Sequence, residues 1–198
     1  MTLPPVVRVF FAIDLPDSVK EKLGAFIVSL KKKARTHGIR WTKPANLHIT
    51  LQFLAETQTQ DLQSLIKNVR ERIQGAVNRC EFKLGSLHVF PNPYRPRVIV
   101  LDVFPQDNLA VLSGLIGEGI KASHYEIESR PFRAHLTLGR IKQPQDVNLS
   151  FLSQMDVPEF ERMLVTEVIL FRSEPQPEGS EYTVMETLQL VNNNFGNN

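Results

Sequence analysis

The sequence predicts an α+β fold made of two similar units that face one another across a cleft. The first observation is a strand-like run at 46–53, where apolar and polar side chains alternate with a period of two. The second is a similar run at 133–139, and both runs carry a His-x-Thr pair on their polar side. The two pairs lie about half a chain apart, and strand and helix patterns recur in both halves. A duplicated α+β unit explains this arrangement.

Composition restricts the class of protein. The chain has 198 residues, of which 42% are hydrophobic and 22% charged, as expected of a globular protein with a sizeable core. Its 23 basic and 21 acidic residues give a net charge of +2, which argues against a DNA-coating surface but leaves room for a local basic groove. Because Cys80 is the single cysteine, a disulfide framework and a thiolate metal site are excluded.

Compartment and domain organisation follow from patterns that the sequence lacks. No apolar run approaches the roughly 20 residues of a membrane span, and the run 6–15 is too short for a signal peptide. We therefore expect a cytoplasmic protein without membrane association. Because no Gly/Ser-rich linker divides the halves, we predict one bilobal domain over 1–191. The Asn-rich segment 192–198 is predicted to be a disordered tail.

Strand and helix signals set the order of elements. The first half is predicted to contain strand 8–13, a helix over about 18–34, strand 46–53 and a helix over about 60–78. The second half is predicted to contain strands 81–90 and 97–103, helix 107–122, strand 133–139, a short helix near 147–155, and strands 162–172 and 182–191. Ser18 with Glu21 matches a capping box for the first helix, and Gly38 suits its C-terminal cap.

Each His-x-Thr strand separates a polar face from an apolar one. In the first strand Leu47, Ile49, Leu51 and Phe53 fall on the apolar side, and Asn46, His48, Thr50 and Gln52 fall on the other. In the second, His135 and Thr137 oppose Leu136 and Leu138. One such pair arises easily by chance and would be read as a solvated strand face. Two copies with the same apolar flanks favour a functional pair.

Two histidines and two threonines suit phosphoryl transfer. Histidine titrates near neutral pH, so one copy can act as general base while the other acts as general acid. The threonine hydroxyls can donate hydrogen bonds to charged phosphate oxygens. Two histidines alone make a poor zinc site, and the chain has no Gly-x-Ser-x-Gly elbow or Walker loop. We therefore predict acid–base catalysis on a phosphodiester without metal or cofactor. His37, His88 and His124 are assigned to solvated or structural positions.

These motifs resemble those of the two-histidine phosphoesterases, specifically the LigT-like RNA 2′,3′-cyclic phosphodiesterases, also called 2′-5′ RNA ligases. The resemblance covers nearly the whole chain, from 8–12 to 182–184. It rests on Arg40-Trp41, Asn46-Leu47-His48-Ile49-Thr50-Leu51, Phe53-Leu54, Phe90-Pro91-Asn92-Pro93, Arg95-Pro96-Arg97-Val98, Phe132-Arg133, and His135-Leu136-Thr137-Leu138-Gly139-Arg140, with Ser173, Gly179 and Tyr182.

The resemblance implies two lobes, each with a mainly antiparallel sheet and outer helices, and a positively lined catalytic groove between the sheets. It also implies metal-free hydrolysis of an RNA 2′,3′-cyclic phosphate to a 2′-phosphate. His48 would protonate the departing 3′ oxygen and His135 would activate water, although the sequence itself does not decide which histidine is acid and which is base. Thr50 and Thr137 would hold phosphate oxygens.

Three further residues are candidates for substrate binding. Arg140 resembles the phosphate-binding arginine of the family, but strand alternation places it on the apolar face unless the strand ends or bulges near Gly139. Arg133 shares the His135 face and could contact phosphate. Phe10 could stack on a terminal base, and a core position is an equal alternative.

The sequence is compatible with several substrates and reactions. The expected substrate is RNA with a 2′,3′-cyclic phosphate end, such as a tRNA half, and small nucleotide cyclic phosphates are further candidates. The alternatives are reversible 2′-5′ ligation of RNA and a module that binds RNA ends without turning them over. Intact copies of both histidines argue against the binding module, since binding alone needs no acid and base. We expect a monomer.

Overall fold

A computed structural model describes residues 3–75, 80–142, 147–177 and 179–190. The predicted tail at 192–198 lies outside these residues. The described residues form nine strands and three α-helices. In chain order they are β1 (Val6–Asp14), α1 (Asp17–Ala34), β2 (Ile39–Trp41), β3 (His48–Gln58), α2 (Leu62–Ile73), β4 (Cys80–Phe90), β5 (Val98–Phe104), α3 (Asp107–Ala122), β6 (His135–Ile141), β7 (Met163–Val165), β8 (Glu167–Gln176) and β9 (Gly179–Gln189).

The strands form two antiparallel sheets. The four-stranded sheet has the order β3-β1-β8-β9, and the five-stranded sheet has the order β2-β6-β5-β4-β7. The two His-x-Thr strands, β3 and β6, therefore belong to different sheets, yet they lie in contact with one another. This arrangement confirms the predicted α+β fold with two lobes.

A continuous apolar core joins the sheets to the helices. Leu23 of α1, Leu65 of α2 and Leu112 of α3 belong to the same buried cluster as Phe11 of β1 and Leu136 of β6. The amphipathic stripes that predicted the helices are thus buried against both sheets. A second, small apolar cluster lies apart from this core and consists of Phe10, Ala12, Ile169 and Phe171, with Tyr182 packed against it.

The ends of α1 differ from the prediction. The helix begins at Asp17, and the carbonyl of Pro16 accepts the backbone N–H groups of Val19 and Lys20, so the Ser18 capping box is not used. At the other end Arg35 adopts the left-handed conformation, with φ of 47°, that was expected of Gly38. The chain turns earlier because the apolar stripe of the helix ends at Ala34.

The C-terminal half holds further corrections. The single strand predicted at 162–172 is two strands, since β7 pairs with β4 while β8 pairs with β1 in the other sheet. Periodicity cannot reveal this exchange, because both pieces continue an extended pattern. The helix predicted near 147–155 is a short 3₁₀ turn, Ser150–Gln154, and α2 ends at Ile73 instead of near 78. Helix α3 matches its predicted range.

A bulge in β3 changes the face of two side chains. Phe11 pairs with Gln52 and Ala12 pairs with Thr50, so Leu51 is an extra residue on β3. Beyond the bulge the alternation is reversed. Gln52 turns inward and donates hydrogen bonds to the carbonyl and hydroxyl of Ser113 on α3. The prediction that Gln52 lies on the wet side and Phe53 on the core side was therefore wrong: the Phe53 side chain is 47% exposed.

None of the helices in the described part of the chain is both long enough and apolar enough to cross a membrane.

Candidate active site

The two His-x-Thr pairs meet where β3 and β6 approach one another. His48 and Thr50 lie on the face of the four-stranded sheet that also carries the small aromatic cluster around Phe10. His135 and Thr137 lie on the corresponding face of the five-stranded sheet. Burial lowers the pKa of both histidines, and the charge of one residue, Arg140, adds to the effect at each ring. The two pairs therefore lie on strands that contact one another, and both histidines are within the influence of the Arg140 charge.

His48 is held at both ring nitrogens. Its Nδ1 lies 2.7 Å from the carbonyl oxygen of Asn46, and its Nε2 lies 3.0 Å from the hydroxyl of Thr50. Because a carbonyl can only accept, the ring hydrogen of the neutral histidine is on Nδ1, and Thr50 donates to Nε2. Nε2 is thus the nitrogen available for proton transfer. Asn46 is fixed in turn by its side-chain amide, which donates to the carbonyl of Ser180 at 2.8 Å.

Aromatic rings surround the His48 imidazole. The ring centroid of Phe10 lies 4.8 Å from that of His48, and the ring of Tyr182 meets it edge-on at 5.3 Å. Phe171 stacks on Phe10 at 5.2 Å, and its ring centroid lies 6.3 Å from that of His48. Burial in this setting disfavours the charged ring and is the main reason why the pKa of His48 is lowered to about 4. Asp14, directly opposite His48 in β1, acts in the other direction.

His135 is held by a similar hydrogen bond at Nδ1. Its Nδ1–H donates to the carbonyl of Arg133 at 2.8 Å, so Nε2 of the neutral ring again has no hydrogen and is the nitrogen suited to proton transfer. Its ring stacks on Phe90, with centroids 5.1 Å apart and planes inclined by 14°. Burial, followed by the charges of Arg133 and Arg140, lowers the pKa of His135 as well, but less far than that of His48.

The main chain beside His135 is fixed by a residue that the sequence pattern did not indicate. The side-chain amide of Gln106, just before α3, accepts the N–H of Ala134 at 2.8 Å and donates to the carbonyl of the same residue at 3.0 Å. These two bonds take the place of the bonds that a neighbouring strand would form with the main chain of Ala134. Because Ala134 lies between Arg133 and His135, Gln106 fixes the main chain from which both the imidazole and the carbonyl that orients it project. No short-range signal marks Gln106, since the contact spans 28 residues.

Arg140 reaches the groove through a second bulge. Ile99 of β5 pairs with Gly139 and Val100 pairs with Thr137, so Leu138 is the extra residue. Leu138 and Gly139 are consecutive buried positions, and Arg140 returns to the exposed face that carries His135. The strand therefore bulges near Gly139, as strand alternation required if Arg140 was to share the face of His135. Gly139 also permits close packing, since a Cβ there would lie 3.1 Å from the Trp41 ring.

Phe10 does not present a free ring face to a base. Its side chain is 3% exposed and is covered by His48, Phe171 and Tyr182. The structure therefore places Phe10 in the core position that the sequence left as the alternative. The exposed ring on this sheet face is Phe53, which pairs with Phe10 across β1 and β3 and has the guanidinium of Arg8 5.7 Å from its centroid.

Arg133 lies next to His135 and takes part in a charged cluster. Its guanidinium is 3.5 Å from the carboxylate of Asp102, which lies directly opposite His135 in β5. Nδ1 of His88 is 3.4 Å from the other oxygen of the same carboxylate. His88 was assigned a structural position from the sequence, but its charge contributes to the lowered pKa of His135. Its distance from the motif along the chain concealed this role.

Among the residues that the structure describes, no group of three or more His, Cys, Asp or Glu side chains is arranged to hold a metal ion.

Comparison with known proteins places this geometry in a family. Residues 13–100 match the family model described as LigT like Phosphoesterase. An RNA 2′,3′-cyclic phosphodiesterase of Archaeoglobus fulgidus is 30% identical over 178 residues, which cover 89% of this chain and 96% of the relative. An RNA 2′,3′-cyclic phosphodiesterase of Methanothermobacter thermautotrophicus is 30% identical over 93% of this chain and 99% of its own length.

Solved structures agree on the fold. The crystal structure of TT0787 of Thermus thermophilus is 28% identical and superposes with a TM-score of 0.74, covering 94% of this chain and 99% of that protein. E. coli LigT in its apo form superposes with a TM-score of 0.69 at 23% identity, covering 95% and 99%. The opposed histidine motifs, the two sheets and these full-length similarities lead to one conclusion: the chain belongs to the LigT-like family of phosphoesterases.

Proposed function

We propose that this protein hydrolyses the 2′,3′-cyclic phosphate at the end of an RNA chain and leaves a 2′-phosphate, with His48 and His135 as its acid–base pair. The observation that carries the proposal is the opposition of two histidines whose Nδ1 atoms are tied to backbone carbonyls. Both neutral rings thereby carry their hydrogen on Nδ1, which makes Nε2 the nitrogen suited to proton transfer in each. The names of the similar proteins of Archaeoglobus fulgidus and Methanothermobacter thermautotrophicus support this substrate class.

The reaction follows from this arrangement. A water on one side of the phosphorus gives its proton to Nε2 of one histidine while its oxygen forms the new P–O bond. The bond from phosphorus to the 3′ oxygen breaks, and the second histidine delivers a proton to that oxygen. The family resemblance assigns the base to His135 and the acid to His48, and we adopt this division. Thr50 and Thr137 then donate to the non-bridging oxygens, while Arg140 balances their charge.

The lowered pKa values constrain how the acid is loaded. In the free protein both rings are neutral at pH 7, which suits the base but leaves the acid without its proton. A bound phosphate anion favours the protonated ring and so raises the pKa of a neighbouring histidine. Substrate binding would therefore load the acid, as the substrate oxygen takes the place of the Thr50 hydroxyl at Nε2 of His48.

The groove wall supplies contacts for the rest of the nucleotide. Phe53 and Arg8 lie on the sheet face of Thr50 and form an exposed ring with a cation beside it, which suits stacking of the terminal base. Arg133 is half exposed and suits contact with a phosphate. We further propose that the protein acts as a monomer in the cytoplasm and that tRNA halves are among its substrates.

The test is hydrolysis of a short RNA that ends in a 2′,3′-cyclic phosphate, in excess EDTA. We compare the wild type with His48→Ala and His135→Ala, and use His37→Ala, which alters an exposed histidine away from the groove, as the matched control. The expected result is a 2′-phosphate product from the wild type and the control alone. Activity that survives both groove substitutions would refute the acid–base assignment.

Two other outcomes would identify the alternatives. An inactive wild type that joins RNA halves, one bearing a cyclic phosphate and the other a 5′-hydroxyl, would indicate 2′-5′ ligation. An inactive wild type that binds the RNA end with an affinity that falls monotonically as histidine loses its charge would indicate a binding module. Activity that EDTA abolishes would overturn the metal-free mechanism.

A further inference from the structure

A cleft opens beside His135 in the five-stranded sheet. It has a volume of about 560 Å³ and is lined by the rings of Phe90, Phe104 and Phe132 together with Arg133. Phe90 is also the ring that stacks on His135. One wall of the cleft is therefore in contact with His135, and the volume of the cleft falls within the range of small-molecule sites.

The cleft contains an unusually exposed aromatic ring. Phe104 is 45% exposed and lies on the same strand face as Asp102, which pairs with His135. The ring lies over Gly85 of the neighbouring strand, where an added Cβ would approach it to 2.5 Å. Glycine at this position lets the ring lie close against the sheet and leaves its other side to solvent. Such a ring is a platform for a flat ligand.

The stereochemistry of the substrate shows which base would reach this platform. In a nucleoside 2′,3′-cyclic phosphate the phosphate bridges C2′ and C3′, the base leaves from C1′, and the RNA chain leaves from C4′. Base and chain therefore leave the ribose at its two ends, both on the ring face turned away from the cyclic phosphate. If the terminal base stacks on Phe53 in one sheet, the preceding nucleotide, attached at the other end of the ribose, has room to lie against the other sheet, where Phe104 is exposed.

We infer that the cleft lined by Phe90, Phe104 and Phe132 binds the base of the nucleotide that precedes the cyclic phosphate. Arg133, at the border between the cleft and His135, is placed to contact the phosphate that links this nucleotide to the terminal one. The protein would thus bind two nucleotides of an RNA end instead of one. This inference rests on the proposed function for the position of the cyclic phosphate.

The experiment compares a mononucleoside 2′,3′-cyclic phosphate with a dinucleotide that ends in the same group. The variants are Phe104→Ala, which removes the ring, and Gly85→Ala, which displaces it. Val28→Ala is the control, because it removes exposed apolar surface from α1 outside the groove. We expect both cleft variants to lower kcat/KM for the dinucleotide by about 5-fold to 100-fold, which corresponds to the free energy of stacking one base on an aromatic ring. The kcat/KM for the mononucleotide should not change.

A binding measurement separates this inference from the proposed function. The dissociation constants of the 2′-phosphorylated mononucleotide and dinucleotide products are measured for the same variants, and they require no turnover. A dinucleotide affinity that depends on Phe104 supports the cleft even if the wild type hydrolyses nothing. Equal losses for mononucleotide and dinucleotide, or no loss for either in an active enzyme, would overturn the cleft assignment and leave the proposed hydrolysis intact.

Discussion

The two histidines share a motif but not an environment. His48 is bonded at both nitrogens and lies among the rings of Phe10 and Tyr182. His135 is bonded at one nitrogen, stacks on Phe90, and has charged neighbours around it. Burial is the leading cause of the lowered pKa in both cases, and the effect is larger for His48. A duplicated motif therefore yields two groups of different proton affinity, and because His48, the assigned acid, is the harder ring to protonate in the free protein, its role depends on the bound phosphate.

The largest effect expected is loss of either histidine. His48→Gln and His135→Gln should each lower kcat by about 10²-fold to 10⁴-fold, because proton transfer to or from the reacting oxygen is lost. If the two rings act as one unit, the double variant should be little worse than the poorer single variant. Steady-state kinetics on the cyclic-phosphate RNA measures this. Fully additive losses would mean that the histidines act independently.

Arg140 is the residue whose charge acts on both His48 and His135. Arg140→Gln should lower kcat/KM by about 10-fold to 100-fold, because a charge-assisted contact to phosphate is lost. It should also raise the pKa of both histidines, since removal of a nearby cation makes protonation easier. NMR titration of the two imidazoles checks the second effect. A shift confined to one ring would show that the two half-sites do not share this charge.

The pH dependence of stability should distinguish His48. Its pKa in the folded protein is about 4 and its ordinary value is 6.5, so the unfolded chain takes up the proton first as pH falls. The free energy of unfolding should therefore decrease between pH 6.5 and pH 4, by about 1–3 kcal/mol from this group. Urea unfolding of the wild type and of His48→Gln across this range measures the difference. Parallel curves for the two proteins would contradict the assigned pKa.

The same substitution in the two phenylalanines that contact the histidines, Phe10 and Phe90, should have unequal effects on stability and on the histidine pKa values. Phe10 is fully enclosed, so Phe10→Leu should cost about 1–2 kcal/mol of stability and raise the pKa of His48 by admitting water. Phe90 is only partly buried, so Phe90→Leu should cost less than about 1 kcal/mol and should move the pKa of His135 less. Thermal unfolding measures the stability of the two variants, and NMR titration measures the pKa of each histidine. Equal shifts at the two histidines would remove the distinction between the half-sites.

The smallest effect expected is that of Gln106→Ala. Gln106 does not touch the reacting atoms and acts by holding the main chain of Ala134. For a mononucleoside cyclic phosphate, which does not reach the cleft that Gln106 also lines, its loss should lower kcat a few-fold to about 10-fold with little change in KM, since His135 gains freedom. Gln106→Glu keeps the acceptor and loses the donor, so it should recover part of the rate. A change confined to KM would show that Gln106 does not position the histidine.

The sequence by itself determined the features that depend on local periodicity. Alternation with a period of two located β3 and β6 and placed His48, Thr50, His135 and Thr137 on polar faces. The period of an amphipathic helix gave α3 its range. Repetition of one motif predicted two lobes, and the structure confirms two sheets, but each sheet takes strands from both halves of the chain, so the lobes are not the two halves that the repeat suggested. These signals are readable because burial of one face imposes a pattern on neighbouring residues.

Tertiary structure decided the features that depend on register and on distant contacts. The extra residues Leu51 and Leu138 reversed the alternation, so that Phe53 turned outward and Arg140 reached the groove. Gln106 and His88 joined His135 from other elements without any sign in the local pattern. The physical reason is that a bulge depends on how two strands pair, and a pKa depends on every group packed around the ring. Neither property belongs to a single stretch of chain.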